Sequence, residues 1–331
     1  MRRLFLALLL FLILGPVVGT HQRFPARDTT QAVQAVPLPR AASSTGLRFV
    51  RGWELTSPHS LFGSFSGLAK TGPGRFELVG DSGYVTRLTI GRDGEVRDVR
   101  IAPLPLPTGH SRRKAMVDAE ALAVDSVSKR RWIALEGIDQ IWRLDSEYRR
   151  VESRGRLPKP GWPANSGAEA MVRLRDGRTV IFSENARGKQ GAREALIYSG
   201  DPAVPGPAPI RFFYDARGKG RVSDAALLPD GRILLVHRRL GFRPVFTTIL
   251  ALVDPADLTP NAIVRSRAVG RVPAPVAENY EGAAVEEVDG RVFVWLVSDH
   301  NYNGWQRSLL VQFEVDALPP PQGADSKKAA P

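Results

Sequence analysis

Apolar residues fall along this chain in short runs bounded by turn residues, and the runs come in sets. Five sets superpose on their first members: Ser66-Gly67-Leu68-Ala69, Glu120-Ala121-Leu122-Ala123, Glu169-Ala170-Met171-Val172, Asp224-Ala225-Ala226-Leu227 and Glu281-Gly282-Ala283-Ala284. Their first residues are 54, 49, 55 and 57 positions apart, a period that marks a propeller or a solenoid. Turns follow, several of them Asp-Gly (Asp176-Gly177, Asp230-Gly231, Asp289-Gly290), the dipeptide that favours a tight hairpin. Second apolar strands run over Phe76–Val79, Trp132–Leu135, Thr179–Phe182, Ile233–Val236 and Val292–Val297. Third strands run over Tyr84–Ile90, Gln140–Leu144, Ala195–Tyr198, Thr247–Val253 and Ser308–Val315. More polar fourth strands follow four of the sets, as at Val96–Ile101 and Ala262–Val269.

Three to four antiparallel strands per repeat, with small residues on the first, describe the blades of an all-β propeller. Small side chains suit the innermost strand, where blades crowd at the axis. The fifth repeat has no fourth strand after Val315, and the unpaired strand Arg48–Leu55 would supply it and close the ring. Five blades account for the array; a sixth irregular blade and a pair of open sandwiches are the alternatives.

The flanks read differently. Arg2 and Arg3, the apolar run Leu4–Leu14 and the small residues around Gly19 form an export signal over residues 1–20, too short for a comfortable membrane span of ~20 apolar residues. An uncleaved anchor is the other reading, and Arg2-Arg3 hints at twin-arginine export. The expected product is periplasmic or secreted, beginning near Thr20 to Arg23. Residues 21–47 read as a flexible linker, 48–316 as the propeller and 317–331 as a disordered tail. The absence of cysteine excludes disulfides, thiolate metal sites and a cysteine nucleophile.

Charge sharpens the picture. The net charge is +12, carried mostly by arginine, yet without a basic run, an aromatic stripe or a nucleic-acid-binding signature. Nucleic acid is therefore not the expected partner; biased codon usage or attraction of a small anionic ester or phosphoester is. No feature demands an oligomer, and a monomer is expected.

Antiparallel geometry puts the start of each first strand and the end of each second strand at one edge of the blade. The ends carry Asp81, Glu136, Glu184, His237-Arg238 and Asp299; the starts carry Ser66, Asp118 with Glu120, Glu169, Asp224 and Glu281. A ring of these carboxylates at one mouth of the channel repels itself unless cations are present. Asp81, Asp118, Glu120, Glu136, Glu169, Glu184, Asp224, Glu281 and Asp299 are the candidate ligands, and an all-oxygen set suits Ca²⁺ or Mg²⁺. Zinc does not fit, because the five histidines show no ligand spacing. Lys114, Arg187 and Arg238 lie among the acids and would hold anionic oxygens. The simpler reading is that the acids pair with backbone amides or arginine to tie blades together, and that the basic residues other than Arg238 make surface salt bridges.

These residues resemble the phytase-like, "esterase-like activity of phytase" domain family found behind bacterial export signals. The resemblance rests on Ser66-Gly67-Leu68, Asp118-Ala119-Glu120-Ala121-Leu122, Gly167-Ala168-Glu169-Ala170 and Leu235-Val236-His237-Arg238. It rests further on Asn279-Tyr280-Glu281-Gly282, Ser298-Asp299-His300-Asn301-Tyr302 and Gln306-Arg307-Ser308-Leu309-Leu310, and it spans about Phe49 to Val315. The family has Glu-Arg where His237-Arg238 stands and a second Asp where His300 stands, so this chain lacks two of its carboxylates. The resemblance implies ester or phosphoester hydrolysis, with a metal ion at the mouth. Glu120, Glu169 or Glu281 would then act as general base, Arg238 would stabilise charge, and Lys114, Arg187, Arg238, His300 and Asn301 would hold substrate. No Gly-x-Ser-x-Gly elbow points to a serine hydrolase. The alternatives are a calcium-stiffened binding propeller without catalysis and a lactonase-type propeller.

Overall fold

The computed structural model describes residues 27–316 and residue 318, apart from 42, 107–113, 126, 159–161 and 164–166. Each repeat forms a separate antiparallel sheet, and the five sheets are the blades of one propeller. Blade one is built from Phe65–Gly72, Arg75–Gly80, Tyr84–Ile90 and Val96–Pro103; blade two from Ala119–Val124, Arg131–Leu135, Gln140–Leu144 and Val151–Arg156. Blade three holds Ala168–Arg173, Thr179–Arg187, Arg193–Tyr198 and Ile210–Asp215; blade four holds Arg221–Leu227, Ile233–Leu240, Phe246–Val253 and Arg267–Arg271. Blade five begins with Tyr280–Val288, Arg291–Ser298 and Leu309–Val315.

The N-terminal strand Leu47–Thr56 completes blade five by pairing with Leu309–Val315, with Trp53 opposite Leu310 and Phe49 opposite Phe313. This closes the ring as the unpaired apolar run predicts. Order extends further back, into the stretch expected as a linker. Gln34–Pro37 adds a fifth, outer strand to this blade, and Val33 just before it is buried against Trp53 and Leu55. The expected fourth strand Ala262–Val269 also divides. Ile263–Arg265 pairs parallel with Ile210–Asp215 of blade three, while Arg267–Arg271 completes blade four. Ser266 at the division is buried, with its hydroxyl against that of Tyr214. The export signal lies outside the described residues, as does nearly all of the tail. Among the described residues no helix is long and apolar enough to cross a membrane.

The apolar core is five cores, one in each gap between successive blades. Between blades five and one, for example, Trp53, Trp295 and Val297 meet Phe65, Leu68, Phe76 and Leu78. Trp53 and Trp295 stack at 6.1 Å with the Arg51 guanidinium 5.2 Å from the Trp295 ring. Burying each such side chain contributes roughly 1.5–3 kcal/mol. Toward the axis only small residues fit: a Cβ on Gly67 would lie 2.7 Å from that of Leu122 in blade two.

Candidate functional site: an acidic channel mouth

One irregularity repeats in all five blades and builds the site. Each innermost strand carries a bulge one or two residues from its start, at Ser66, Glu120, Glu169, Ser223 and Glu281. An extra residue in a strand escapes the ladder and re-aims its side chain. In blades two, three and five the bulged residue is a glutamate. In blades one and four it is a serine, whose hydroxyl donates to the next blade: Ser66 to the Ala119 carbonyl and Ser223 to that of Tyr280, the latter at 2.8 Å.

This register corrects the repeat alignment in blade four by one residue. Asp224 matches Gly67, Ala121, Ala170 and Gly282, the small inner position that abuts the next blade. Its carboxylate accepts from the Ala225 and Ala283 amides at 2.8 and 2.6 Å, so it ties blade four to blade five and stands apart from the mouth.

The ends of the second strands hold a matching register. The backbone N–H groups of Asp81, Glu136, Glu184 and Asp299 donate to the carbonyls of Ser64, Asp118, Gly167 and Asn279 at 2.8–3.1 Å. In blade four the equivalent pair is Arg238 with Arg221. An arginine thus stands where four other blades put a carboxylate. His237, one residue earlier, is fully buried with Nε2 2.8 Å from the Tyr214 hydroxyl, away from the mouth.

Arg238 divides the ring. Its guanidinium binds Glu281, donates to Asn279 Oδ1 at 2.8 Å, and lies 3.5 Å from Glu184 and 3.9 Å from Glu169. Asn279 in turn donates to Glu281 Oε1 at 2.9 Å and Asp299 Oδ2 at 3.3 Å. Arg221 adds a second contact to Glu184 at 2.7 Å. Asn279 and Arg221 are the members of this side that repeat spacing alone passes over. Each sits two residues before a bulge, the position also held by Ser64, Asp118 and Gly167.

On the other side Asp118, Glu120 and Glu136 bring one carboxylate oxygen each within 4.8 Å of the others. Among the described residues their only close cation is Lys114, 3.2 Å from Asp81 and 3.8 Å from Asp118, with a side chain 69% exposed. Glu136 Oε1 also accepts from the Gly167 amide at 3.0 Å. Asp81 Oδ1 and Asp118 Oδ1 are buried without a hydrogen-bond partner among the described residues.

Burial and mutual repulsion move the protons of this ring. Burial first, then Asp81 and Glu136, pushes Asp118 up to about 6 against the pull of Lys114. Glu120 stands well above the ordinary glutamate range, from burial and then from Glu169 and Asp118. Glu169 does too, through burial, Glu281 and Glu184, although Arg238 opposes the rise. Burial also lifts Glu281, again against Arg238, and with Glu281 raises Asp299 to about 8.

The predicted substrate-binding residues fare unequally. Lys114 and Arg238 are at the mouth. His300 leans from blade five against Gly63, and burial lowers its basicity. The Asn301 amide binds Gln306 within its own loop at 3.0 Å, and Arg187 lies exposed past the mouth, opposite Arg193. A cleft of about 490 Å³ opens beside Arg238 between blades three and four, walled by Arg193, Arg217, Arg221 and Arg239 with Glu184 at its edge.

Sheets, register and mouth together define a five-bladed β-propeller with an acidic, arginine-divided channel opening. The chain belongs to the phytase-like family described as "esterase-like activity of phytase", whose sequence profile matches residues 60–302. No curated protein matches it significantly. Among solved structures it is similar to a streptogramin B lyase at 12% identity over 86% of this chain and 74% of the other, with a TM-score of 0.39. The Malassezia sympodialis allergen Mala s 1 matches at 11% identity over 78% and 80%, with a TM-score of 0.43. The RRP9 WD40 repeats match at 10% over 86% and 99%, with a TM-score of 0.42.

Proposed function

We propose that this propeller is a metal-assisted hydrolase of small anionic esters, phosphoesters foremost. The observation that carries the reading is the Asp118–Glu120–Glu136 cluster with its unpartnered neighbour oxygens on Asp81 and Asp118. Buried carboxylate oxygens without donors are costly, and an all-oxygen set of this kind fits a hard divalent cation, calcium or magnesium. Asp81, Asp118, Glu120 and Glu136 would hold it. Such an ion, when bound, polarises an ester oxygen and acidifies water.

The chain's own residues supply the rest. Glu169 is buried, and burial with the nearby Glu281 and Glu184 raises it well above the ordinary glutamate range, which suits it to carry a proton to a leaving oxygen. The cleft beside Arg238 offers arginine forks to the anionic part of the substrate; Arg193 and Arg239 there have no carboxylate partner among the described ion pairs. Arg238 is already engaged with Glu281 and Asn279, so its first role is to fix the position of those groups. That engagement also favours a second reading, a propeller whose mouth binds a cation for rigidity without catalysis.

Calorimetric titration and melting of chelator-treated protein decide between them. Calcium at a hundredfold excess over its Kd is expected to add about 2.7 kcal/mol of stability, and Glu120→Gln to remove most of that gain. Turnover of a nitrophenyl phosphate that depends on the ion supports the hydrolase. Binding without turnover across phosphate, carboxylate-ester and lactone substrates supports the second reading, and the absence of both heat and melting shift overturns the metal site.

A further inference from the structure

Past Arg238 the second and third strands of blade four run on beyond the mouth as a hairpin. Its tip is Arg239-Leu240-Gly241-Phe242-Arg243-Pro244-Val245, the end of the strand Ile233–Leu240 and the turn that leads to Phe246–Val253. The apolar side chains there point into solvent: Leu240 is 69% exposed and Phe242 89%. Beside the foot of the hairpin, Trp305 comes from the blade-five loop that follows Asp299. Its ring is 62% exposed and stacks on the buried Phe246 at 5.8 Å, nearly parallel. The tip contains two arginines, Arg239 and Arg243, and no acid, and the Arg243 guanidinium sits 5.9 Å from the Phe242 ring.

We propose that the mouth face of the propeller docks on an anionic lipid surface through this tip. Phe242 and Leu240 enter the boundary between headgroups and acyl chains, Trp305 lies at the headgroup level, and Arg239 and Arg243 meet lipid phosphates. Shape and charge select this occupant. The apolar groups stand on a projecting turn, which a rigid protein partner accommodates only with a matching pocket, whereas a fluid interface needs none. The net charge of +12 and the absence of acids in the turn match a negative surface. The carboxylates on the Arg238 side of the mouth, from which the tip rises, do not oppose the approach: Glu169 and Asp299 are buried in the channel, and Glu184 and Glu281 are held by Arg238. Docking in this way is independent of whether the mouth catalyses a reaction.

Cosedimentation of the full chain with vesicles tests the proposal. Binding is expected with phosphatidylcholine mixed with phosphatidylglycerol, falling as salt rises, and not with phosphatidylcholine alone. Arg243→Gln should weaken it about fivefold, the share of one basic residue near such a surface. Phe242→Ser should abolish pelleting while leaving the melting temperature unchanged, since the ring packs on nothing in the core. Wild-type protein that stays in the supernatant, or a Phe242→Ser variant that pellets as well as wild type, overturns the proposal. So does a wild-type dimer in sedimentation equilibrium that Phe242→Ser converts to monomer, which would give the tip to a second copy of the chain.

Discussion

The two sides of the channel mouth are built from the same register and behave as opposites. On the side of blades three to five, one arginine takes the place of a repeated carboxylate and gathers Glu169, Glu184 and Glu281 around a half-buried guanidinium. On the side of blades one and two the carboxylates keep their places, and their one nearby cation among the described residues is a lysine largely in water. The first side is neutralised from within and fixed by hydrogen bonds. The second has less positive charge among the described residues, and is the side proposed above to accept an external ion. One substitution in a five-fold pattern is enough to split a symmetric ring into a braced half and a receptive half.

The comparison breaks most visibly at its two cations. Arg238→Ala should destabilise the fold by about 3–5 kcal/mol in denaturant unfolding, because the buried Glu169 and the partly buried Glu184 and Glu281 lose the guanidinium they share. Lys114→Ala should cost less than about 1 kcal/mol, the usual contribution of an exposed pair. Equal costs would erase the distinction between the halves.

Asp299 sharpens the comparison through pH. Its folded carboxyl is raised to about 8 from an ordinary value of 3.8, so the native state holds a proton that the unfolded chain gives up. Stability that depends on this proton is present below about pH 4 and is lost as pH climbs toward 8. In chelator-treated protein, Asp299→Asn should therefore gain on wild type across that window, by at most about 1.4 kcal/mol per pH unit. Melting curves that run parallel from pH 4 to 8 would show that the mouth does not store this charge.

The smallest effect belongs to the serine bulges. Ser223→Ala removes one donor to the Tyr280 carbonyl and should cost about 1 kcal/mol, with ion binding on the opposite side unchanged.

Much of this was legible in the residue pattern. Five repeats, the closing strand around Trp53, and the convergence of acids at one mouth all follow from period and antiparallel geometry. Blade four shows where that reasoning stops. Ser223-Asp224 presents an acid beside the bulge, and a comparison by residue type selects the acid, whereas the backbone selects the serine. A bulge adds a residue without altering the apolar pattern, so neither period nor propensity reveals which of two neighbours faces the channel. The grouping of Arg238 with Asn279 and three glutamates was also hidden, because it joins strand ends more than forty residues apart. The division of Ala262–Val269 between two blades depends on Ser266 meeting Tyr214, a contact made only once both sheets exist.

The strand that closes the ring also sets an order of events during synthesis. Leu47–Thr56 leaves the ribosome before any complete blade, and its partner Leu309–Val315 is made after all four others. At ~5–20 residues per second the wait is on the order of ten seconds to a minute. Throughout it, Phe49 and Trp53 lack their blade-five neighbours Phe313, Leu310 and Trp295. The chain therefore carries an unpaired apolar edge for most of its own translation, the kind of segment that chaperones bind and that aggregates when they do not.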